Sequence, residues 1–259
     1  MFQRYSGDSR QALTCISKMK VRSIPESLYR GVVAQRALQA DEVDIWQSPN
    51  DLEPGDYGRL PHLLSADEVE RAAAFRFERH RKQYIIGRSL LRILLAGYLQ
   101  IDPLAVRFQY SVKGKPELVP SDRESHIQFN LAHSGGIILL GFTARRKIGI
   151  DVEEIRADVE IDEISQRFFS PFERQWLASL PLPQRYEAFF RCWTRKEALL
   201  KGTGEGLSVS LDSLNVFSDP EEDSCWLETS NGHVWRVQDV ESSSGYAAAV
   251  AVEHQRQAE

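Results

Sequence analysis

The chain has 259 residues, enough for one large domain or two small ones, and 42% of them are hydrophobic, enough to fill a core. A net charge of −5 argues against general nucleic-acid binding, and neither a membrane-spanning apolar run nor a signal-peptide pattern is visible, so no membrane partner is expected. The three cysteines, Cys15, Cys192 and Cys225, fit neither a disulfide framework nor a zinc site, which points to a reducing cytoplasm. Charge is uneven: residues 1–40 hold seven Lys/Arg against two acids, a net +5 that leaves −10 on the body. That basic, serine-containing start has the composition of a transit peptide, but reads more simply as a flexible extension, or as an upstream start with Met19 the other initiator.

Glu42-Val43-Asp44-Ile45-Trp46 alternates polar and apolar and predicts a first strand. Residues 48–61, dense in Pro, Gly and acids, read as loop. Ser65-Ala66-Asp67-Glu68 is a capping box, and the apolar and basic residues running to about 100 predict two helices, the second stopped by Asp102-Pro103. Residues 104–110 read as a strand and 111–125 as loop. His126 to Asn130 predicts a short strand and Ile137 to Thr143 a strongly apolar one, which Ala144-Arg145-Arg146-Lys147 turns into a hairpin with Ile148 to Glu153. Ser170-Pro171-Phe172-Glu173 is a second capping box, with Pro at the first helical position. A further helix is expected over about 184–201, ended by Gly202, then strands over 207–217, 225–228, 233–240 and 245–252. The order is α+β, as two α/β halves meeting near 144–160 would give, without visible sequence repetition.

On a strand over 148–153, Gly149, Asp151 and Glu153 point one way and Ile148, Ile150 and Val152 the other, into the core. Two carboxylates so placed repel unless a cation lies between them. A magnesium ion with oxygen ligands resolves that; so does a solvated face, or salt bridges to Arg145 or Arg156. On the next helix Tyr186, Phe189, Phe190, Trp193 and Leu200 form an apolar stripe, and Glu197 falls on it with Lys201 one turn further. A carboxylate there needs a partner, in a Glu–Lys pair or in a ligand. Lys196 faces elsewhere and reads as solvated or phosphate-facing. Gly202-Thr203-Gly204-Glu205-Gly206 follows its helix, so it reads as a terminator and not as a phosphate loop.

His133, at a loop edge before Ser134-Gly135-Gly136, suits a phosphate or a proton, and Lys115 sits on a fixed turn between Gly114 and Pro116. Residues 71–92 hold Arg71, Arg76, Arg79, Arg81, Lys82, Arg88 and Arg92 against Glu78 alone. That is a cationic face for a polyphosphate, for an acidic protein, or for solvent.

Gly114-Lys115-Pro116, Phe129-Asn130-Leu131-Ala132-His133-Ser134-Gly135, Ile148-Gly149-Ile150-Asp151-Val152-Glu153, Phe168-Phe169-Ser170-Pro171-Phe172-Glu173 and Trp193-Thr194-Arg195-Lys196-Glu197-Ala198-Leu199-Leu200-Lys201-Gly202 together resemble the Sfp-type 4′-phosphopantetheinyl transferases. The resemblance runs from about 42 to about 252. It implies a monomer of two similar α/β halves forming a pseudo-dimer: an extension over 1–40, an N-terminal half over 41–145 and a C-terminal half over 146–255. It implies magnesium and coenzyme A in the cleft between the halves. The phosphopantetheine arm passes to a serine of apo acyl carrier proteins, or of carrier domains of polyketide or peptide synthetases, and adenosine 3′,5′-bisphosphate leaves. Asp151, Glu153 and Glu197 would hold the metal. Lys115 and His133 would contact coenzyme A phosphates, with Arg71, Arg76 and Lys196 as further cationic contacts and Lys201 at the pyrophosphate. Glu197, or a water on the metal, is the candidate base for the serine proton. A non-catalytic coenzyme A or carrier-protein binding module on the same fold is the alternative.

Overall fold

A computed structural model of the chain describes residues 2–4, 18–29, 35–119, 126–204, 210–217, 219 and 221–254. In chain order its first part forms β1 (Phe2–Arg4), β2 (Lys18–Ser23), α1 (Glu26–Tyr29), β3 (Glu42–Pro49), α2 (Pro54–Tyr57), α3 (Ala66–Ala73), α4 (Glu78–Leu99), β4 (Phe108–Tyr110), β5 (Pro116–Leu118), β6 (Ile127–Ser134) and β7 (Ile137–Ala144). The second part forms β8 (Ile148–Glu154), α5 (Ile161–Phe168), α6 (Pro171–Ser179), α7 (Leu182–Thr203), β9 (Ser224–Thr229), β10 (Val234–Asp239) and β11 (Tyr246–His254).

The duplication invisible in the sequence is plain in the topology. One sheet has the order β2-β3-β7-β6 and the other β1-β9-β10-β11-β8. Within them β3-β7-β6 and β8-β11-β10 share one antiparallel order. Each is laid down by the same path: a strand, a short capped helix (α3 or α6), a helix of 22 residues (α4 or α7), then the two strands of a hairpin.

Both predicted capping boxes form. Glu68 accepts from the Ser65 N–H at 2.9 Å, and Glu173 from the Ser170 N–H at 2.7 Å. Each buried glutamate also meets a cation at the same position of the long helix that follows. Arg92 Nε lies 2.7 Å from Glu68, and Lys196 Nζ 2.9 Å from Glu173. The two halves thus share an internal ion pair as well as a topology.

The layers are helix, sheet, sheet, helix. Alternation along β7 sends Ile138, Leu140 and Phe142 into a core with α4, and Ile137 and Leu139 into a core between the sheets. Along β11, Ala249 and Ala251 pack towards α7, while Val250 and Val252 enter the inter-sheet core. β6 and β8, edge strands of their respective sheets, meet there. Free backbone N–H groups of β8 are capped by side chains of β6: Ile150 N–H donates to Asn130 Oδ1 at 2.9 Å, and Glu154 N–H to Ser134 Oγ at 3.1 Å.

Several expectations change. β7 and β8 are not a hairpin: β7 pairs with β3 and β6, and β8 pairs with β11. The turn between them, with Arg145 at φ 66°, carries the chain from one sheet to the other. The face alternation read for β8 nevertheless holds, because it depends on the strand and not on its neighbour. The extension is not wholly loose: Phe2 is buried in the C-terminal core, and Ile24, Leu28 and Tyr29 in the N-terminal one. Residues 5–17 and 30–34 lie outside the described residues.

The loops hold short elements too. α2 falls in the stretch read as loop before Ser65, and β5 pairs with β4 in the stretch read as loop after 110. α4 stops before Asp102-Pro103, at Gln100 in the left-handed region, and α7 runs past Gly202 to a left-handed Gly204. α5 was not anticipated. Leu211–Ser213 is a 3-10 turn where a strand was expected, and residues 207–209 of that expected strand lie outside the described residues.

Candidate functional site

The site lies where β8 and α7 touch. A Cβ on Gly149 would stand 2.0 Å from the Ala198 carbonyl oxygen and 2.3 Å from the Gly202 nitrogen. The bare backbone of β8 therefore rests directly on the last turns of α7. This brings Asp151 and Glu153, on the Gly149 face, beside Glu197 and Lys201.

Lys201 Nζ lies 2.6 Å from Asp151 Oδ1, and Asp151 is buried. Lys201 is thus the cation for the strand and not only the helical neighbour of Glu197. Burial pushes the Asp151 carboxyl up to about 7; Lys201 opposes that, and the Glu153 and Glu197 charges add to it. Burial likewise raises Glu197, again against Lys201 and with Glu153. Three carboxylates and one ammonium therefore act on one another electrostatically. Ser134 Oγ donates to Glu153 at 2.7 Å and fixes its direction.

Asp151 Oδ2 is buried and accepts no hydrogen bond. A buried carboxylate oxygen without a donor, beside two further carboxylates, fits a hard divalent cation in charge and in donor chemistry. Among the described residues no three such side chains already converge on one point, so the three carboxylates would have to adjust around the ion.

Above this wall runs a cleft between α4 and the β6 strand. One cavity of about 380 Å³ is lined by Phe75, Tyr84, Gly87, Arg88, Leu131 and His133, among others. A second, of about 290 Å³, continues past Asn130 and Leu131 to Lys115, Glu197 and Lys201. His133 lines the first; desolvation and the Lys201 charge hold its imidazole below the ordinary value. Arg71 lies over the rings of Tyr84, which lines the first cavity, and Tyr110, at 5.7 and 5.6 Å from the ring centres. Arg76 is exposed and lies against Phe77.

Not every expected residue is at the site. Lys196 is neither solvated nor phosphate-facing: it is fully buried, paired with Glu173 and donating to the Leu211 and Leu214 carbonyls. The cationic face of 71–92 is broken up in the same way. Arg92 and Arg88 turn inward towards Glu68, at 2.7 and 3.5 Å, so only the remainder is a surface array. Lys115 donates its amine to two carbonyls.

Residues not singled out before include Asn130 and Ser134, which seat β8, and Arg88 and Tyr84. Arg88 Nη1 and Tyr84 Oη are buried without partners at the cleft. Asn130 and Ser134 stood inside the quoted motif, but the strand reads as ending at Asn130, whereas β6 runs on to Ser134 and puts both on one face. Nothing in the sequence separated Arg88 from its exposed basic neighbours.

Residues 147–251 match the family model of the 4′-phosphopantetheinyl transferase superfamily, and residues 52–144 match that of the 4′-phosphopantetheinyl transferase N-terminal region. The 4′-phosphopantetheinyl transferase HetI of Nostoc sp. is 38% identical over 215 residues, spanning 83% of this chain and 89% of that one. Sfp of Bacillus subtilis is 29% identical over 197 residues, spanning 76% and 85%. Among solved structures, a holo-(acyl-carrier-protein) synthase from Bacillus anthracis in complex with CoA (3′,5′-ADP) aligns with a TM-score of 0.37 and 27% identity, over 42% of this chain and 96% of that one. The two family models meet at the turn that joins β7 to β8, and HetI aligns across both halves: the chain belongs to the 4′-phosphopantetheinyl transferase superfamily.

Proposed function

We propose that this chain transfers the 4′-phosphopantetheine arm of coenzyme A to a serine hydroxyl of apo carrier proteins, working as a monomer in the cytoplasm. Family membership sets the reaction class. The observation that carries the assignment to this site is the buried Asp151 on β8, left with one unpartnered oxygen and paired with Lys201 of α7, which lines the cleft.

The serine oxygen attacks the phosphorus that bears pantetheine. The bond from that phosphorus to the bridging oxygen breaks, and adenosine 3′,5′-bisphosphate leaves with the electron pair. Lys201, at the cleft wall, would stabilise or protonate the leaving oxygen. Glu197 would take the serine proton only where it is not a tight metal ligand, since one carboxylate cannot serve fully as both. His133, Arg71 and Arg76 would hold phosphate oxygens of coenzyme A.

Asp151, Glu153 and Glu197 would hold magnesium, which when bound neutralises pyrophosphate charge. Acyl carrier proteins and carrier domains of polyketide or peptide synthetases are the expected acceptors. No helix among the described residues is long and apolar enough to cross a membrane.

Asp151→Ala tests the assignment. Intact-protein mass spectrometry of an apo carrier should show transfer lowered by orders of magnitude, at an unchanged fold by circular dichroism. Near-normal transfer would overturn it. Coenzyme A binding by the wild type with no transfer to any carrier would favour a binding module on the same fold.

A further inference from the structure

Lys115 stands in the cleft with its amine already engaged, and its partners lie in the opposite half. Nζ donates to the Lys201 carbonyl at 2.7 Å and to the Ile148 carbonyl at 3.2 Å. The first acceptor is in the last turn of α7, where carbonyls lack intrahelical donors and the helix dipole favours a cation. The second opens β8, the strand that carries Asp151 and Glu153.

The stem that presents the amine is itself fixed. Ser111 and Lys115 close the β4–β5 turn, with Ser111 N–H donating to the Lys115 carbonyl at 2.9 Å and Lys115 N–H to Ser111 Oγ at 3.1 Å. Gly114, at φ +78°, supplies the left-handed residue this turn requires.

We propose that Lys115 is a positioning residue: from the N-terminal half it caps the end of α7 and ties it to β8, and so sets Glu197 and Lys201 against Asp151. Its work is done by N–H donors to carbonyls and not by charge on a coenzyme A phosphate. The proposal rests on the transferase reading above, since that reading makes the register of α7 against β8 the register of the reacting groups.

Lys115→Met removes the donors and keeps most of the stem. A small displacement of reacting groups costs rate more than binding, so kcat should fall about tenfold or more while the KM for coenzyme A stays within about twofold. Lys115→Gln offers a neutral donor and should recover part of the lost kcat. If both variants instead raise the coenzyme A KM about tenfold at unchanged kcat, Lys115 is a phosphate ligand and the proposal fails.

Hydrogen exchange without substrate gives a second readout. Amides of the last turn of α7 should exchange faster in Lys115→Met than in wild type, and unchanged exchange would overturn the cap. Should Lys115→Met not fold, Lys115→Gln serves in the same exchange experiment, with intermediate protection expected and wild-type protection overturning it. This readout needs no transfer, so failure of the cap is distinct from failure of the transferase reading, which wild-type protein inactive on every carrier would reveal.

Discussion

Gly149→Ala probes the joint on which the site is built. The added methyl would stand 2.0 Å from the Ala198 oxygen, 2.3 Å from the Gly202 nitrogen and 2.8 Å from the Gly202 Cα, all of them backbone atoms that no rotamer can move. Ordinary contact between such atoms is about 3.5 Å, so β8 and α7 must part by roughly 1–1.5 Å. Overpacking of that kind costs about 1–3 kcal/mol. The same displacement separates Asp151 and Glu153 from Glu197 and Lys201, and misplacement by about 1 Å can cost on the order of 100-fold in rate. The assay is transfer to an apo carrier alongside a thermal melt. The expected result is a large loss of kcat together with a lower melting temperature, matching the cost of about 1–3 kcal/mol. Transfer within about twofold of wild type would show that the β8–α7 contact does not set the reacting groups, and would refute the reasoning.

Further outcomes follow from the same geometry. Lys196→Met leaves Glu173 fully buried without its cation and should cost about 3–5 kcal/mol in denaturant unfolding, while adding Glu173→Leu should recover part of it. A rise in the coenzyme A KM at unchanged stability would instead make Lys196 a ligand. Asp151 holds its proton up to about pH 7 in the folded chain and only to about 4 when unfolded, so it lowers stability progressively as pH rises between those values. In metal-free buffer Asp151→Asn should therefore melt above wild type, by a margin that grows from about pH 4 to about pH 7 and is then constant; parallel melting curves across that range would contradict the burial argument. Gly135→Ala places a methyl at φ +50°, 2.6 Å from Glu154 Oε2 and 2.8 Å from Tyr246 Oη. It should cost about 1–2 kcal/mol in unfolding, and an unchanged melting temperature would argue against the tight β6–β7 turn.

Local signals in the sequence were reliable where the chain itself supplies the physics. Both capping boxes name their own partners within four residues, and the alternation of β8 sets its faces whichever strand lies beside it. Glu197 and Lys201 could be placed together because helical spacing alone does so. What remained hidden depends on distant chain. β8 reads as a hairpin return because β7 precedes it closely, yet its pairing partner is β11, nearly a hundred residues on. Lys196 looked like a surface cation because its partner, Glu173, already had a local explanation as a cap. Asn130 and Ser134 carried no sign that they would bond to β8 rather than to a ligand. The two similar halves could be expected from element order and family resemblance but not from a sequence repeat, because the duplication survives as topology and as an ion pair, Arg92 with Glu68 and Lys196 with Glu173, in which even the cation differs.

The central claim is metal-dependent transfer from coenzyme A at the β8–α7 wall. Intact-protein mass spectrometry of apo carrier proteins, after incubation with this protein, coenzyme A and magnesium, tests it most directly, with an EDTA control. A gain of one phosphopantetheine that EDTA abolishes is the predicted result. No gain on any carrier from fatty-acid, polyketide or peptide synthesis would contradict the transferase claim, and a gain undiminished by EDTA would contradict the role given to Asp151, Glu153 and Glu197.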